Sequence, residues 1–151
     1  MGLFTTENTF CIVGFDNMMT NTSMSVFNKY TEPFTKKVSY KKHLIKEVFW
    51  DDSLGINLNA GYENADKVNV YIPFDKNEED MKNYKEPKNY NGNGWTLQNG
   101  DFIIKGDVDI EEVEGIKDLK AYEVFEITVN DKKDFGSYNM QHFEIRGFWC
   151  L

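Results

Sequence analysis

Short β-type runs alternate with breaks rich in Asn, Gly, Asp and Lys along this chain. Over residues 23–30, alternation places Met24, Val26 and Tyr30 on one face of a strand. Residues 38–50 predict one long or bent strand in which His43, Ile45 and Phe49 oppose Leu44, Val48 and Trp50. A third run, 67–74, stops at Pro73, which has no N–H to give to a ladder. Further strands are expected at 102–105, 122–129 and 141–149, all rich in β-branched and aromatic residues. Between Asp75 and Gly94 the composition turns polar. Residues 75–83 suit one or two helical turns, and the stretch to Asn91-Gly92-Asn93-Gly94 reads as a polar insertion or flexible loop. Asn99-Gly100 supplies φ > 0 residues for a tight turn into the strand at Phe102. Ile116 and Leu119 share one face of a short helix over 115–120. The expected fold is mainly β: a small barrel or sandwich of about six strands with one or two short helices and a long inserted loop. Residues 1–22 form an N-terminal extension or arm, and 23–151 a single β-barrel-like domain with the insertion around 75–94.

Composition narrows the function classes. The chain has 151 residues, which suits one domain, and 17 basic against 25 acidic side chains give a net charge of −8. Arg146 is its single arginine, so the bidentate clamps that grip phosphate or guanine are almost absent. The one basic cluster is Lys36-Lys37 with Lys41-Lys42, interleaved with Phe34 and Tyr40. Lysines of this kind commonly guard an exposed strand edge, and that reading is preferred here to nucleic-acid binding. The apolar run Phe10–Phe15 is far short of the roughly 18 residues that cross a bilayer, so no membrane partner is expected. Residues 1–6 fit only the loose N-myristoylation pattern. Cys11 and Cys150 are too few for a disulfide framework and fit a reducing cytoplasm.

Convergent chemistry is scarce. His43 and His142 each fall inside a strand, and neither has Cys or His at metal-ligand spacing. Ser137 follows Gly136 outside any Gly-x-Ser-x-Gly context, and Asp134-Phe135-Gly136 stands without the other kinase elements. Asn21-Thr22-Ser23 fits a glycosylation sequon with no secretory leader before it. Asp51-Asp52 and Glu111-Glu112 point to opposite faces if they lie on strands. The acidic series Asp107, Asp109, Glu111, Glu112 and Glu114 reads as a solvated edge, without the glycine and spacing of a calcium loop. No catalytic, metal or cofactor set is expected, and the chain is not read as an enzyme.

The segment from Trp95 through Thr96, Leu97, Gln98, Asn99, Gly100 and Asp101 to Gly106 resembles the Trp-Thr-Leu, Gly-Asp, Gly signature of a family from phages and prophages of low-GC Gram-positive bacteria. Ser25–Tyr30, Val48–Trp50, Ala65-Asp66, Tyr71–Pro73, Asp134–Ser137 and Met140–Ile145 follow the same family pattern in the same order, over roughly residues 22–147. The family lies in the morphogenesis cluster between capsid and tail genes, and its strand order is similar to that of the small β-barrel head–tail stoppers. The resemblance implies a structural protein of the virion neck, assembled in the bacterial host cytoplasm. It would be a head-completion or stopper subunit that closes the DNA channel and offers the tail a docking face. It implies a homo-oligomeric ring, six- or twelve-fold, with portal or adaptor proteins above and tail terminator or tube proteins below. Contact with channel DNA would be non-specific at most, helped by an acidic lining that repels phosphate. Trp95, Asn99, Gly100, Asp101 and Gly106 have structural roles: Trp95 caps the core, Gly100 allows the turn, Asp101 bonds local backbone amides, and Gly106 marks a bulge or close approach. The insertion supplies candidate interface residues Asp75, Tyr84, Tyr90, Asn91 and Gly92 on a mobile loop. The rival readings are a tail terminator, the collar of a contractile bacteriocin, and a monomeric phage-encoded enzyme or inhibitor. A DNA-binding regulator is opposed by the charge and by the lack of a helix-turn-helix pattern.

Overall fold

A computed structural model describes residues 19–52 and 67–151. The Phe10–Phe15 run, Cys11, Ala65-Asp66 and most of the expected N-terminal arm lie outside the described residues. Seven strands form one antiparallel sheet: β1 (Thr22–Thr31), β2 (Val38–Asp51), β3 (Lys67–Pro73), β4 (Phe102–Lys105), β5 (Glu112–Val113), β6 (Phe125–Lys133) and β7 (His142–Trp149). The order runs β1-β4-β6-β7-β3-β2, and β2 pairs back onto β1, so these strands close into a small barrel. Closure removes the unpaired edges that an open sheet must protect. β1, β3 and β6 run one way, β2, β4 and β7 the other. One rim, called the lower rim below, therefore collects the ends of the first three and the starts of the others.

The barrel interior is filled by alternate side chains from the six strands, among them Met24, Ile45, Trp50, Ile103, Phe125 and Phe143. Two bulges reset that alternation. On β2, the three steps from Ile45 to Val48 match two on β1, from Met24 to Thr22. The extra residue brings Ile45, Val48 and Trp50 all into the core, where strict alternation had set Ile45 against the other two. On β6, Ile127 opposes Gly147 and Val129 opposes Arg146, so Val129 turns outward and Asn130 inward. Gly147 faces inward without a side chain, because a Cβ there would lie 3.0 Å from Phe125 Cβ.

A second apolar cluster lies outside the wall. The chain between β4 and β6 folds over β1 and β4, setting Val108, Val113, Leu119 and Val124 against Phe27, Phe102 and Ile104. β5 belongs to this cover and pairs with β2 at Tyr40 and Lys41. Two residues flanked by acids gave no strand pattern. The helix expected over 115–120 is one 3-10 turn, Ile116–Leu119, with Leu119 buried. The strand expected at 122–129 starts later and runs on to Lys133.

β2 is not an edge. β1 lines one side of it, and β5 and β3 share the other. The lysines expected as edge guards are partly neutralised within the chain. Lys42 pairs with Asp107 at 2.7 Å and Glu111 at 3.7 Å, and Lys37 with Glu114 at 3.1 Å. The acidic series 107–114 is thus in part the counter-charge of β2. No described helix is long and apolar enough to cross a membrane.

Candidate functional site

The lower rim carries most of the residues that the sequence singled out. Residues 74–101 leave β3, cross the rim and return to β4, and they plug this end of the barrel. The plug begins where β2 has no strand neighbour between β5 and β3. Asn77 fills that gap as a side-chain substitute for a strand: its Oδ1 accepts from Glu47 N at 3.1 Å, and its Nδ2 donates to Glu47 O and Pro73 O, both at 2.8 Å. One helical turn, α1 (Glu78–Met81), then carries Asp80 to His43, with Nε2 and Oδ1 2.8 Å apart. His43 also stacks on Trp95, ring centroids 5.2 Å apart and planes within 3°. Burial lowers the His43 pKa, and the Asp80 hydrogen bond opposes that shift without cancelling it. These contacts bind the plug to β2. Among the described residues no group of three or more His, Cys, Asp or Glu is placed to hold a metal ion.

Trp95 is fully buried at the centre of this plug. Its indole N–H donates to Asp80 O at 2.6 Å, and its ring meets Tyr84 at 5.0 Å and Phe143 at 6.1 Å, both edge-to-face. Tyr84 lies between Trp95 and Phe143, and burial, then the charge of Glu86, pushes its phenol up to about 12. Tyr84 is therefore half-buried against the core rather than on an exposed loop. The backbone ties the two sides together, Lys85 N donating to Trp95 O at 2.8 Å and Trp95 N to Asn83 O at 3.1 Å. Tyr90 sets its ring edge against Tyr30 at 6.4 Å, and Gly92 lies close over the same ring. Asn91 is exposed and accepts from Lys85 Nζ and Asn93 N. Asp75 is half-buried in a cleft of about 410 Å³ beside α1. The segment expected as a mobile insertion is therefore anchored along its length, and two of its five candidate interface residues, Tyr84 and Tyr90, are committed to internal packing.

The Gly-Asp motif is a clasp between distant strands. Asp101, 1% exposed, accepts from Lys29 N at 3.0 Å, Gln98 Nε2 at 3.2 Å and Asn28 Nδ2 at 2.8 Å. Its backbone partner is on β1 rather than local, which corrects the turn-type role expected for it. Asn28 completes the clasp by donating to Thr96 O at 2.7 Å and accepting from Thr96 N at 3.1 Å. Burial pushes the Asp101 carboxyl up to about 6, and its hydrogen bonds only partly offset that. Of the Asn99-Gly100 pair only Gly100 has φ > 0, at 95°, while Asn99 is an ordinary exposed turn residue. Gly106 has φ 91° with open space around it, so backbone conformation explains it and a close approach does not.

Two glycines separate conformation from contact. Alanine at Gly100 meets only the left-handed penalty of roughly 1–2 kcal/mol, because nothing lies within 4 Å of its Cβ position. At Gly94, φ 75°, the new Cβ would lie 2.3 Å from Asn83 O, the carbonyl that Trp95 N uses. Gly94→Ala is expected to lose at least about 1 kcal/mol more than Gly100→Ala. Equal losses in urea denaturation would mean that the plug is not seated on Asn83.

Large apolar side chains reach solvent at two tips of the same rim. Phe34 is 93% exposed on the β1–β2 turn, and Phe135, Tyr138 and Met140 are exposed on the β6–β7 turn. The sequence placed Phe34 in a basic cluster, Phe135 in the Asp134-Phe135-Gly136 triplet, and Met140 and Asn28 in the family pattern, but gave none of them, nor Tyr138, a site role; the sign of Asn28 is a lone amide within an apolar strand. Residues 19–148 match a family of unknown function (DUF6751), and the chain belongs to that family. No curated protein and no solved structure matches the chain.

Proposed function

We propose that this protein is a structural subunit of a phage neck, a ring-forming head-completion or stopper protein. The observation that carries the reading is the exposed cluster Phe135, Tyr138 and Met140 on the ordered β6–β7 turn, with Phe34 on the β1–β2 turn of the same rim. Lone exposed apolar residues are ordinary, but clustered aromatic and Met side chains on ordered turns mark surfaces that another protein covers. The net charge of −8 and the single arginine support the same reading, because a ring of such subunits would not hold passing DNA by its phosphates. In this account the rigid barrel is the frame and the turns make the contacts. The anchored 75–94 segment holds the rim in shape rather than swinging into a channel.

Purified particles of a phage that encodes the chain test this directly. Mass spectrometry is expected to detect the protein in particles, and cryo-electron microscopy to place it between portal and tail. Its absence from particles, with abundant protein in the infected cells, would remove the structural reading and favour a factor acting on the host.

A further inference from the structure

We propose that Asn91-Gly92 is a site of self-modification: the Gly92 nitrogen closes on the Asn91 side-chain amide, ammonia leaves, and the succinimide so formed opens with water to aspartate or isoaspartate.

The sequence holds three Asn-Gly pairs, at 91–92, 93–94 and 99–100. Each sets a side-chain amide before a residue with no side chain to obstruct the approach. The fold treats the three differently. Gly100 N donates to Ile127 O at 2.8 Å, so it cannot turn on the Asn99 amide without leaving the barrel wall. Among the described residues neither Gly92 N nor Gly94 N has an acceptor, and Asn91 and Asn93 are both exposed to water.

Asn91 differs from Asn93 in what its amide oxygen meets. Lys85 Nζ and Asn93 N both donate to Asn91 Oδ1, each at 3.2 Å. The Asn93 bond folds the side chain over the Gly92 peptide, so that Cγ and Gly92 N belong to one short hydrogen-bonded ring. The Lys85 ammonium adds positive charge at the atom where negative charge gathers during attack. Two donors aimed at a developing oxyanion lower the barrier to a tetrahedral intermediate. Solvent keeps the Lys85 share of that effect modest. Lys85 is itself held in place, because its backbone N donates to Trp95 O at 2.8 Å. No described donor reaches the Asn93 amide oxygen.

The step balances with water alone. Water or hydroxide takes the Gly92 N–H proton and the N–Cγ bond forms. The Cγ–Nδ2 bond then breaks, and the departing nitrogen takes up a proton to leave as ammonia. Hydrolysis adds one water to either succinimide carbonyl. Opening at the side-chain carbonyl gives aspartate, with its new carboxylate beside Lys85. Opening at the backbone carbonyl gives isoaspartate and lengthens the main chain by one carbon. That carbon would fall between Tyr90, set against Tyr30, and Gly94, seated close to Asn83 O.

Peptide mapping of the full chain tests the assignment. Folded protein is held at mildly alkaline pH, and tryptic peptide 89–105, which contains all three pairs, is followed by mass spectrometry with fragmentation to place each amide-to-acid change. Asn91 is expected to change fastest. Asn99 should change at least about tenfold more slowly, the factor that ~1.4 kcal/mol of local opening supplies. In urea the three rates should converge. Lys85→Met keeps the apolar stem and removes the charge, and it should slow Asn91 about threefold relative to Asn93 in the same peptide. An intact Asn91, an Asn93 or Asn99 that changes as fast, or a ratio indifferent to Lys85→Met would each overturn the proposal. Rates that differ as much in urea would assign the order to local sequence and overturn it as well.

Discussion

Trp95→Ala is expected to cost about 3–5 kcal/mol of folding stability, as removal of a buried aromatic side chain usually does. Trp95 is fully buried, and several partners converge on it: the Asp80 carbonyl, the His43 ring, and the edges of Tyr84 and Phe143. Truncation would leave a void under the plug, a bare carbonyl and an unstacked His43. Trp95→Phe keeps much of the volume and loses the indole N–H, so it should fall between alanine and the wild type. Equilibrium urea denaturation of the three proteins provides the measurement. A loss under about 1 kcal/mol for the alanine variant, the range of ordinary surface changes, would show that residues 74–94 do not close the barrel as described.

The second large effect is expected at the clasp. Asn28→Ala strands the Thr96 N–H, the Thr96 carbonyl and one Asp101 oxygen in a buried setting. At about 1–3 kcal/mol for each unpaired group, less some relaxation, the loss should reach roughly 3–5 kcal/mol. The clasp also sets a pH dependence. The Asp101 carboxyl sits at about 6 in the folded protein and near its ordinary value of 3.8 when exposed, so folding favours its protonated form. Its stabilising contribution is complete below pH 3.8 and is lost as pH rises through 6. Between pH 4 and 7 that amounts to about 2–3 kcal/mol, at ~1.4 kcal/mol per unit. His43 works in the other direction, because its lowered pKa removes stability as pH falls through its ordinary value of 6.5. The difference in unfolding free energy between wild type and Asp101→Asn isolates the first effect. The wild-type advantage should shrink from pH 4 to 7, whereas a constant difference would mean that Asp101 is not buried as a titrating acid.

Much of the wall was legible in the sequence because alternation and β-branched content follow directly from a half-buried pleat. Six of the seven strands were expected, with boundaries off by a few residues at most. The alternation failed where an extra residue enters the ladder: Ile45 and Val48 share a core that period two assigns to opposite faces. β5 was missed because Glu112 and Val113 carry no pattern of their own and pair only because β2 is there. The site was less legible. Trp95 and Gly100 announce themselves by type, but Tyr84 sits among Lys, Asn and Glu, and its burial depends on Phe143 from a strand formed much later in the chain. Gln98 is local, but the β1 partners of Asp101, Asn28 and Lys29, are about seventy residues away, a separation at which spacing rules carry no information. Phe34 reads in sequence as part of a basic cluster, because only the turn closed by Glu32, Lys36 and Lys37 displays it.

The way the wall closes also bears on how the chain is made. Among the described strands, β7 alone joins β3 to β6, and it comes last in the sequence. While the protein is on the ribosome, β1 and β2 can pair at once, but the circuit stays open until residues near 149 have emerged. Until then β3 and β6 each keep a bare edge able to pair with a neighbouring nascent chain. Closure of the described wall thus needs β7, and loss of that strand would leave two reactive edges rather than a smaller barrel.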